Sequence, residues 1–314
     1  MRAVTIKDGQ LTVETRPDPI PGKGELLVGV EAAGLNWADI AQRMGLYPAP
    51  AGVPADIPGL ELAGVVRAVG EGVERFAVGD RVMGVVGGGA QAELMTLHER
   101  EALAVPEGLP MLEAGGFAEA FTTAHDALFT QCALGSGERL LVNGAAGGVG
   151  LAGVQLAAAA GAEAIASVRR AELRDAVAAF GATAVDPGEV AQYGPFDVVL
   201  ELVGATNMEQ DIDCLAVGGR ISVIGVIGGS RAEVDLRELM MRRAHIHAST
   251  LRARPLEEKI AAARLVERHV LPLLASGTVR VPIEASYPLE AVEEAYGRFL
   301  EGGKLGKIVI DINA

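Results

Sequence analysis

The sequence predicts an α/β protein in which a doubly wound parallel-sheet domain is inserted into a mainly β domain. Three observations carry this reading. From Met1 to about Glu119, short β-rich runs are cut by Pro and Gly; from about Thr122, compact apolar strands alternate with helical stretches; after Arg254 and Pro255, the pattern turns to two helices and two short β runs. Such an ending returns the chain to the first domain. We therefore expect residues 1–120 and 257–314 to form one domain and residues 121–256 the other. At 314 residues and 50% hydrophobic composition, the chain can supply two cores.

Taken in order, Glu25 to Glu31, Leu62 to Val69 and Arg81 to Val86 read as strands of an irregular, barrel-like β domain. The stretch Arg139 to Gly161 then reads as strand, glycine-dense turn and helix: Leu140, Leu141 and Val142 precede the turn, and Leu151, Val154, Gln155 and Ala158 follow at helical spacing. Ala162 to Val168, Val198 to Val203 and Arg220 to Gly225 are further strands separated by helical stretches, the order of a parallel sheet covered on both faces. Beyond Pro255 we expect an amphipathic helix through about Ser276, a β run Val281 to Tyr287, a helix Leu289 to Glu301 and a last strand Gly306 to Ile312. A domain inserted in this way leaves a cleft, where small ligands are usually held.

The glycine turn carries the chemistry. Gly147, Gly148 and Gly150 let the backbone turn tightly, and the helix starting near Val149 offers free N–H groups and its positive end to a pyrophosphate. The strict G-x-G-x-x-G pattern is not met, because Ala145 holds the first glycine position. A dinucleotide site commonly places a carboxylate about 20 residues after the turn, to hold the ribose 2′-hydroxyl. Here the second strand ends Ser167-Val168-Arg169-Arg170, with no acid, and two guanidinium groups suit a 2′-phosphate. NADP(H) is expected over NAD(H). The rival reading is two arginines that simply face solvent at the start of a helix.

Other classes of function are disfavoured. The net charge of −14, with no basic run interleaved with aromatics, argues against nucleic acid as partner. Residues 140–162 carry no charge but hold six glycines, Asn143 and Gln155, which suits a buried βα unit and not a membrane span. MRAVTIKDGQ has no signal-peptide pattern, so a cytoplasmic protein is expected. Cys132 and Cys214 lie far apart in apolar surroundings and read as reduced core thiols. His245 and His247 share one face of a strand, yet no third ligand lies nearby in sequence; no zinc is expected. A Ser-His-Asp hydrolase would need a G-x-S-x-G elbow, which is missing.

With these pieces in place, the strings AGLNWADIAQRMGLYP (33–48), IPGLELAGVV (57–66), EAFTTAHDAL (119–128), the glycine turn and the closing GKIVI (306–310) together resemble the medium-chain dehydrogenase/reductase superfamily, and most closely its zinc-independent NADPH:quinone oxidoreductase branch. The resemblance covers nearly the whole chain. It implies a GroES-like catalytic domain carrying a Rossmann-type dinucleotide domain, and a homodimer joining two nucleotide-domain sheets. Asn36 and Leu60 stand where the zinc alcohol dehydrogenases have a cysteine and a histidine, while Glu61 survives from their G-H-E string. By the same resemblance, Ala146, Gly147, Gly148 and Val149 form the pyrophosphate turn, Thr123 lines the nicotinamide region, and the strand ends at Val203, Gly225 and Ile227 complete the cofactor wall. Val223, Ile224, Val226 and Ile227 around Gly225 are expected to continue into an edge that pairs with a second subunit.

Asn36 and Tyr47 are the catalytic candidates. Asn36 would hydrogen-bond the cofactor or the acceptor oxygen, and Tyr47 would shape the pocket or deliver a proton. Asn36, Asp39, Gly45 and Tyr47 also reproduce the spacing of related enoyl-thioester reductases, in which the tyrosine is a candidate proton donor; Asp39 is expected to orient neighbouring backbone. Two departures bear on the cofactor: NADP-binding relatives often have a lysine where Leu173 falls, and a tyrosine where this chain has Val185-Asp186-Pro187, so either Arg169, Arg170 or Arg174 compensates or the preference for NADP is weaker than in those relatives. Three readings follow: NADPH-dependent, zinc-independent hydride transfer to a quinone or other conjugated carbonyl; an enoyl-thioester or enone reductase; and a nucleotide-binding protein without catalysis.

Overall fold

A computed structural model describes all 314 residues. The chain begins with β1 (Arg2–Lys7) and β2 (Gln10–Thr15), joined by Asp8 and Gly9, both at positive φ (52° and 78°), the two-residue turn that an Asp-Gly pair favours. Next come β3 (Glu25–Gly34), α1 (Trp37–Arg43), β4 (Glu61–Val69), β5 (Arg81–Val85), β6 (Leu94–His98), β7 (Leu103–Ala104), α2 (Met111–Gly115) and α3 (Ala118–His125), the last running into a π-helical stretch over Asp126–Gln131. The parallel-sheet region follows as β8 (Arg139–Asn143), α4 (Gly148–Ala159), β9 (Glu163–Ser167), α5 (Arg174–Ala178), β10 (Ala182–Val185), β11 (Phe196–Glu201), α6 (Met208–Asp213), β12 (Leu215–Val223), α7 (Leu236–Arg242) and β13 (His245–Ala248). The chain closes with α8 (Leu256–His269), α9 (Leu271–Ala275), β14 (Ile283–Pro288), α10 (Val292–Glu301) and β15 (Lys307–Asp311).

Two compact units result: Met1–Glu119 with Leu251–Ala314, and Ala120–Thr250. In the first, the strand order is β14-β15-β3-β4-β5-β7, with β6 also on β3. Its core includes Leu26, Val28, Leu62, Val66, Tyr296, Ile308 and Ile310. In the second, six parallel strands run β10-β9-β8-β11-β12-β13, so the order reverses between β8 and β11. Ligands of doubly wound sheets bind beyond the carboxyl ends of the strands at such a switch point. Leu141, Ile165, Val199 and Ile221 fill the core beneath it.

Four expectations need correction. Residues 251–256, assigned from the sequence to the nucleotide domain, belong to the first unit, where the buried Arg252 side chain binds the carbonyls of Gly87 and Tyr47. The helix expected to continue through Ser276 breaks at Val270, because Pro272 has no N–H for the carbonyl four residues earlier. The strand expected over Arg220 to Gly225 ends at Val223, since the N–H groups of Ile224 and Gly225 both turn onto the Glu201 carbonyl, at 2.9 and 3.1 Å. Finally, Val223 does not lead into a free edge: β12 is paired on both sides, and the edge of the sheet is β13.

Candidate functional site

In the parallel-sheet unit the site is built on the carboxyl ends of β9, β8, β11 and β12, where Ser167, Asn143, Glu201 and Val223 stand side by side in register. Gly144 turns the chain out of β8 at φ +74°, and Gly147 caps α4. The glycines differ in what requires them. A Cβ on Gly150 would sit 2.6 Å from Ala145 Cα, so helix and strand pack too closely there for any side chain. A Cβ on Gly147 would meet nothing nearer than the Gly144 carbonyl oxygen at 3.7 Å. The protein's own packing therefore does not demand glycine at 147, and the turn leaves room there for a ligand to approach the backbone. The first N–H groups of α4 lack intrahelical acceptors, the donor set an anion needs.

Of the remaining residues assigned to the cofactor, Val203 borders this turn. A Cβ on Gly144 would touch Val203 at 3.4 Å, and the Gly228 N–H donates to the Val203 carbonyl at 2.7 Å. Gly225 has a packing reason of its own, since a Cβ there would lie 2.1 Å from the Leu202 carbonyl oxygen. Ile227 is 55% exposed two residues further on. Ala146 and Val149 are half-buried on either side of Gly147 and Gly148. Thr123 is buried on α3, shortly before Asp126, whose carboxylate accepts from Ser249 Oγ at 3.1 Å just past β13.

Arg169 and Arg170 are exposed just beyond β9, Arg170 lying 3.5 Å from the Glu172 carboxylate. Arg174 is not available to a ligand in the same way: its Nε donates to the Val168 carbonyl and its other end pairs with Asp186. That pairing holds Arg174 against the Val185-Asp186-Pro187 segment.

In the other unit, Asn36 and Tyr47 bracket α1. Asn36 lies in a buried polar knot. Lys307 Nζ donates to Asn36 Oδ1 (2.7 Å) and the Leu35 carbonyl (3.1 Å), and pairs with Glu61 Oε1 (2.6 Å). Asn36 Nδ2 donates to Glu61 Oε1 (2.9 Å) and the Gly34 carbonyl (3.2 Å), while Glu61 Oε2 accepts from the Glu119 N–H (2.9 Å). Glu61 is fully buried and Lys307 is 4% exposed. Both amide hydrogens of Asn36 are thus engaged, which leaves Oδ1 as the side chain's remaining capacity, an acceptor and not a donor. The donation from Asn36 to an acceptor oxygen expected from the sequence is therefore blocked, because Glu61 and Gly34 already take those hydrogens; a hydroxyl or amide N–H of a ligand can still be received.

Asp39 orients backbone: its carboxylate accepts from the N–H groups of Asn36 (2.8 Å) and Gly59 (2.9 Å), and burial pushes its pKa up to about 6 against those bonds. Tyr47 is held from behind by Arg252. The guanidinium lies 5.0 Å from the ring centroid, donates to the Tyr47 carbonyl at 2.9 Å and to the Gly87 carbonyl at 2.7 Å, and binds Gln42 Oε1. Lys307 and Arg252 were not singled out from the sequence. Lys307 had a local signal, a lone cation inside the apolar GKIVI run; Arg252 had none, since its partners lie some two hundred residues away in the chain.

The residues present do not fit a catalytic zinc of the alcohol dehydrogenase type: Asn36 and Leu60 offer no thiolate or imidazole, and Glu61 is held by the Lys307 ammonium. His245 and His247 stack with ring centroids 6.2 Å apart on β13. No helix is long and apolar enough to cross a membrane.

A parallel sheet with a glycine turn at its switch point is the architecture of a doubly wound, nucleotide-binding type of domain. Comparison with known proteins is specific. Residues 22–131 match the alcohol dehydrogenase GroES-like domain and residues 148–268 the zinc-binding dehydrogenase family. The chain is 30% identical to the quinone oxidoreductase of Homo sapiens, over 99% of this chain and 97% of that one. Among solved structures, it is similar to the quinone oxidoreductase of Thermus thermophilus, described also in complex with NADPH (TM-score 0.86, 32% identity, 99% of this chain and 100% of that one). It is likewise similar to the quinone oxidoreductase of Pseudomonas syringae pv. Tomato (TM-score 0.88, 27% identity, 99% of each chain). The chain belongs to the medium-chain dehydrogenase/reductase superfamily. It is an oxidoreductase of that family, with quinone oxidoreductases among its relatives.

Proposed function

We propose that the protein is an NADPH-dependent quinone oxidoreductase that works without zinc. The observation that supports the zinc-free reading is the Lys307 ammonium held by Glu61 and Asn36, so that two residues of the strings resembling the zinc enzymes' ligand region are engaged by a protein cation. The glycine turn would receive the pyrophosphate on the α4 N-terminus, and Arg169 and Arg170 would pair with the 2′-phosphate, whereas NAD(H) offers them no such partner. When bound, the reduced nicotinamide supplies a hydride. The acceptor, a quinone or other conjugated carbonyl, takes that hydride with its two electrons and completes its reduction with a proton from solvent. Asn36 Oδ1 would orient the cofactor by accepting a hydrogen bond, and alignment with exclusion of water would supply the catalysis.

One observation favours an enone or enoyl-thioester substrate as a second reading. Arg252 fixes the Tyr47 backbone and sets a positive charge against the face of its ring, which would offset the charge left on the oxygen after Tyr47 gave up a proton. Turnover of Tyr47→Phe with a simple quinone and with a crotonyl thioester separates the two. A quinone reductase keeps its quinone rate within about threefold, whereas a loss of about 100-fold on the thioester, as expected for removal of a general acid, would move the function to enoyl reduction.

We further propose a homodimer formed through β13, in the cytoplasm. The outer edge of β13 is unpaired, and Ile246 is 41% exposed on it.

A further inference from the structure

The glycine turn rests on a group of buried acids that the proposed reaction does not use. Glu201 ends β11 and is fully buried. Its Oε1 accepts from the N–H groups of Val203 and Gly204, the latter at 2.6 Å. Its Oε2 accepts from Asn143 Nδ2 (2.6 Å) and Asn207 Nδ2 (3.2 Å). Asn143 is the last residue of β8, directly before the turn, and its Nδ2 also donates to Asp211 Oδ1 at 2.7 Å. Asp211, on α6, is fully buried as well, and its Oδ2 has no donor.

Two ionised carboxylates in this place would repel each other at close range in a desolvated site, and one oxygen would stay unpaired. A single proton on Asp211 removes both faults, because the acid then donates to Glu201 while Oδ1 keeps the bond from Asn143. Burial and the neighbouring Glu201 both push Asp211 upward, to about 9, against the one opposing influence of the Asn143 bond. The other titratable groups nearby do not compensate. Cys214, at the foot of α6, is itself pushed up by burial and by Asp211, and Arg242, on α7, is engaged by Glu238 and the Leu215 carbonyl.

We propose that Asp211 is a positioning residue for the cofactor: it stays protonated, shares that proton with Glu201, and so ties the end of β8 to the Val203–Gly204 loop on either side of the nucleotide turn. This rests on the reading of that turn as a dinucleotide site. Loss of the proton would separate the two acids and loosen the Asn143 and Val203–Gly204 anchors together. Cofactor affinity should then fall in alkaline solution through a group that never touches the cofactor.

The test is the Kd of NADPH, measured by fluorescence titration from neutral pH to beyond about 9, for the wild type, Asp211→Asn and Glu201→Gln. An asparagine keeps the protonated acid's acceptor oxygen and can donate to Glu201 as the acid does, with one further N–H, but does not titrate. For the wild type, Kd should rise toward tenfold per pH unit above the midpoint, the limit for binding that needs one proton in place. Within Asp211→Asn, the ratio of alkaline to neutral Kd should stay near one; in Glu201→Gln, the alkaline rise should move or vanish. The same rise in Asp211→Asn, or a flat wild-type profile, would overturn the proposal while leaving the nucleotide site standing. No binding of NADPH or NADH at neutral pH would remove the reading of the turn and this proposal with it. Should the variants fail to fold, infrared difference spectra of the wild type decide. A protonated carboxyl band that persists at neutral pH and disappears as the Kd rises supports the shared proton, and its absence at neutral pH overturns it.

Discussion

Single side chains decide which chemistry the β-rich unit can perform. Lys307 donates hydrogen bonds to Asn36 Oδ1 and the Leu35 carbonyl and forms an ion pair with Glu61, and through these contacts it sets the orientation of the Asn36 amide and neutralises Glu61. Removing the cation would leave Glu61 buried without a countercharge, held only by the Asn36 amide and the Glu119 N–H. Lys307→Met should therefore lower stability by about 3–5 kcal/mol, the usual cost of breaking a buried pair from one side, as read from urea denaturation midpoints. A loss under about 1 kcal/mol would mean that the knot is more hydrated than its geometry implies. The knot was only partly legible in the sequence. Asn36 stood out because it replaces a metal ligand in a string similar to the zinc enzymes, but the hydrogen-bonding capacity left to it depends on Lys307, 271 residues away. Residue identity can suggest that an amide lies at a site; which of its atoms remain available is a property of its neighbours.

Among the elements, the turn between β8 and α4 was the most legible, since strand, turn and helix each have a local signature and all three fall within one short stretch. What the sequence did not distinguish is the work of each glycine. Gly150 is required by contact with Ala145, whereas Gly147 has room around it and leaves space for a ligand. Gly147→Ala, at an unstrained φ of −77°, should thus leave the thermal midpoint nearly unchanged and weaken NADPH binding about tenfold or more. Gly150→Ala should lower both. Thermal melts beside cofactor titrations of the two variants check this contrast, and equal effects at both positions would contradict it. The strand around Gly225 was misjudged for a related reason. Its apolar run continues past the point where the backbone N–H groups leave the sheet for the Glu201 carbonyl, and hydropathy carries no record of that change of partner. Charged residues inside apolar runs were the missed signal: Glu201 in DVVLELVG and Lys307 in GKIVI are both buried and both organise their surroundings.

For the whole molecule, the division into a β-rich unit and a parallel-sheet unit follows from a change of periodicity along the chain, which is why the fold class could be read before any geometry. Its boundary near residue 251 was harder to place, because Arg252 is bound to the β-rich unit by hydrogen bonds to distant carbonyls and not by a hydrophobic pattern. If the protein assembles through β13, Ile246→Lys should turn a dimer into a monomer in light scattering without loss of helical signal, since a lysine on that edge opposes strand pairing. Metal-free hydride transfer from NADPH can be measured as the oxidation of NADPH and of NADH by metal-stripped protein with a simple quinone as acceptor. Quinone-dependent turnover that favours NADPH and is unchanged by added zinc is expected. Turnover that is absent from the stripped protein and returns only with zinc would contradict it.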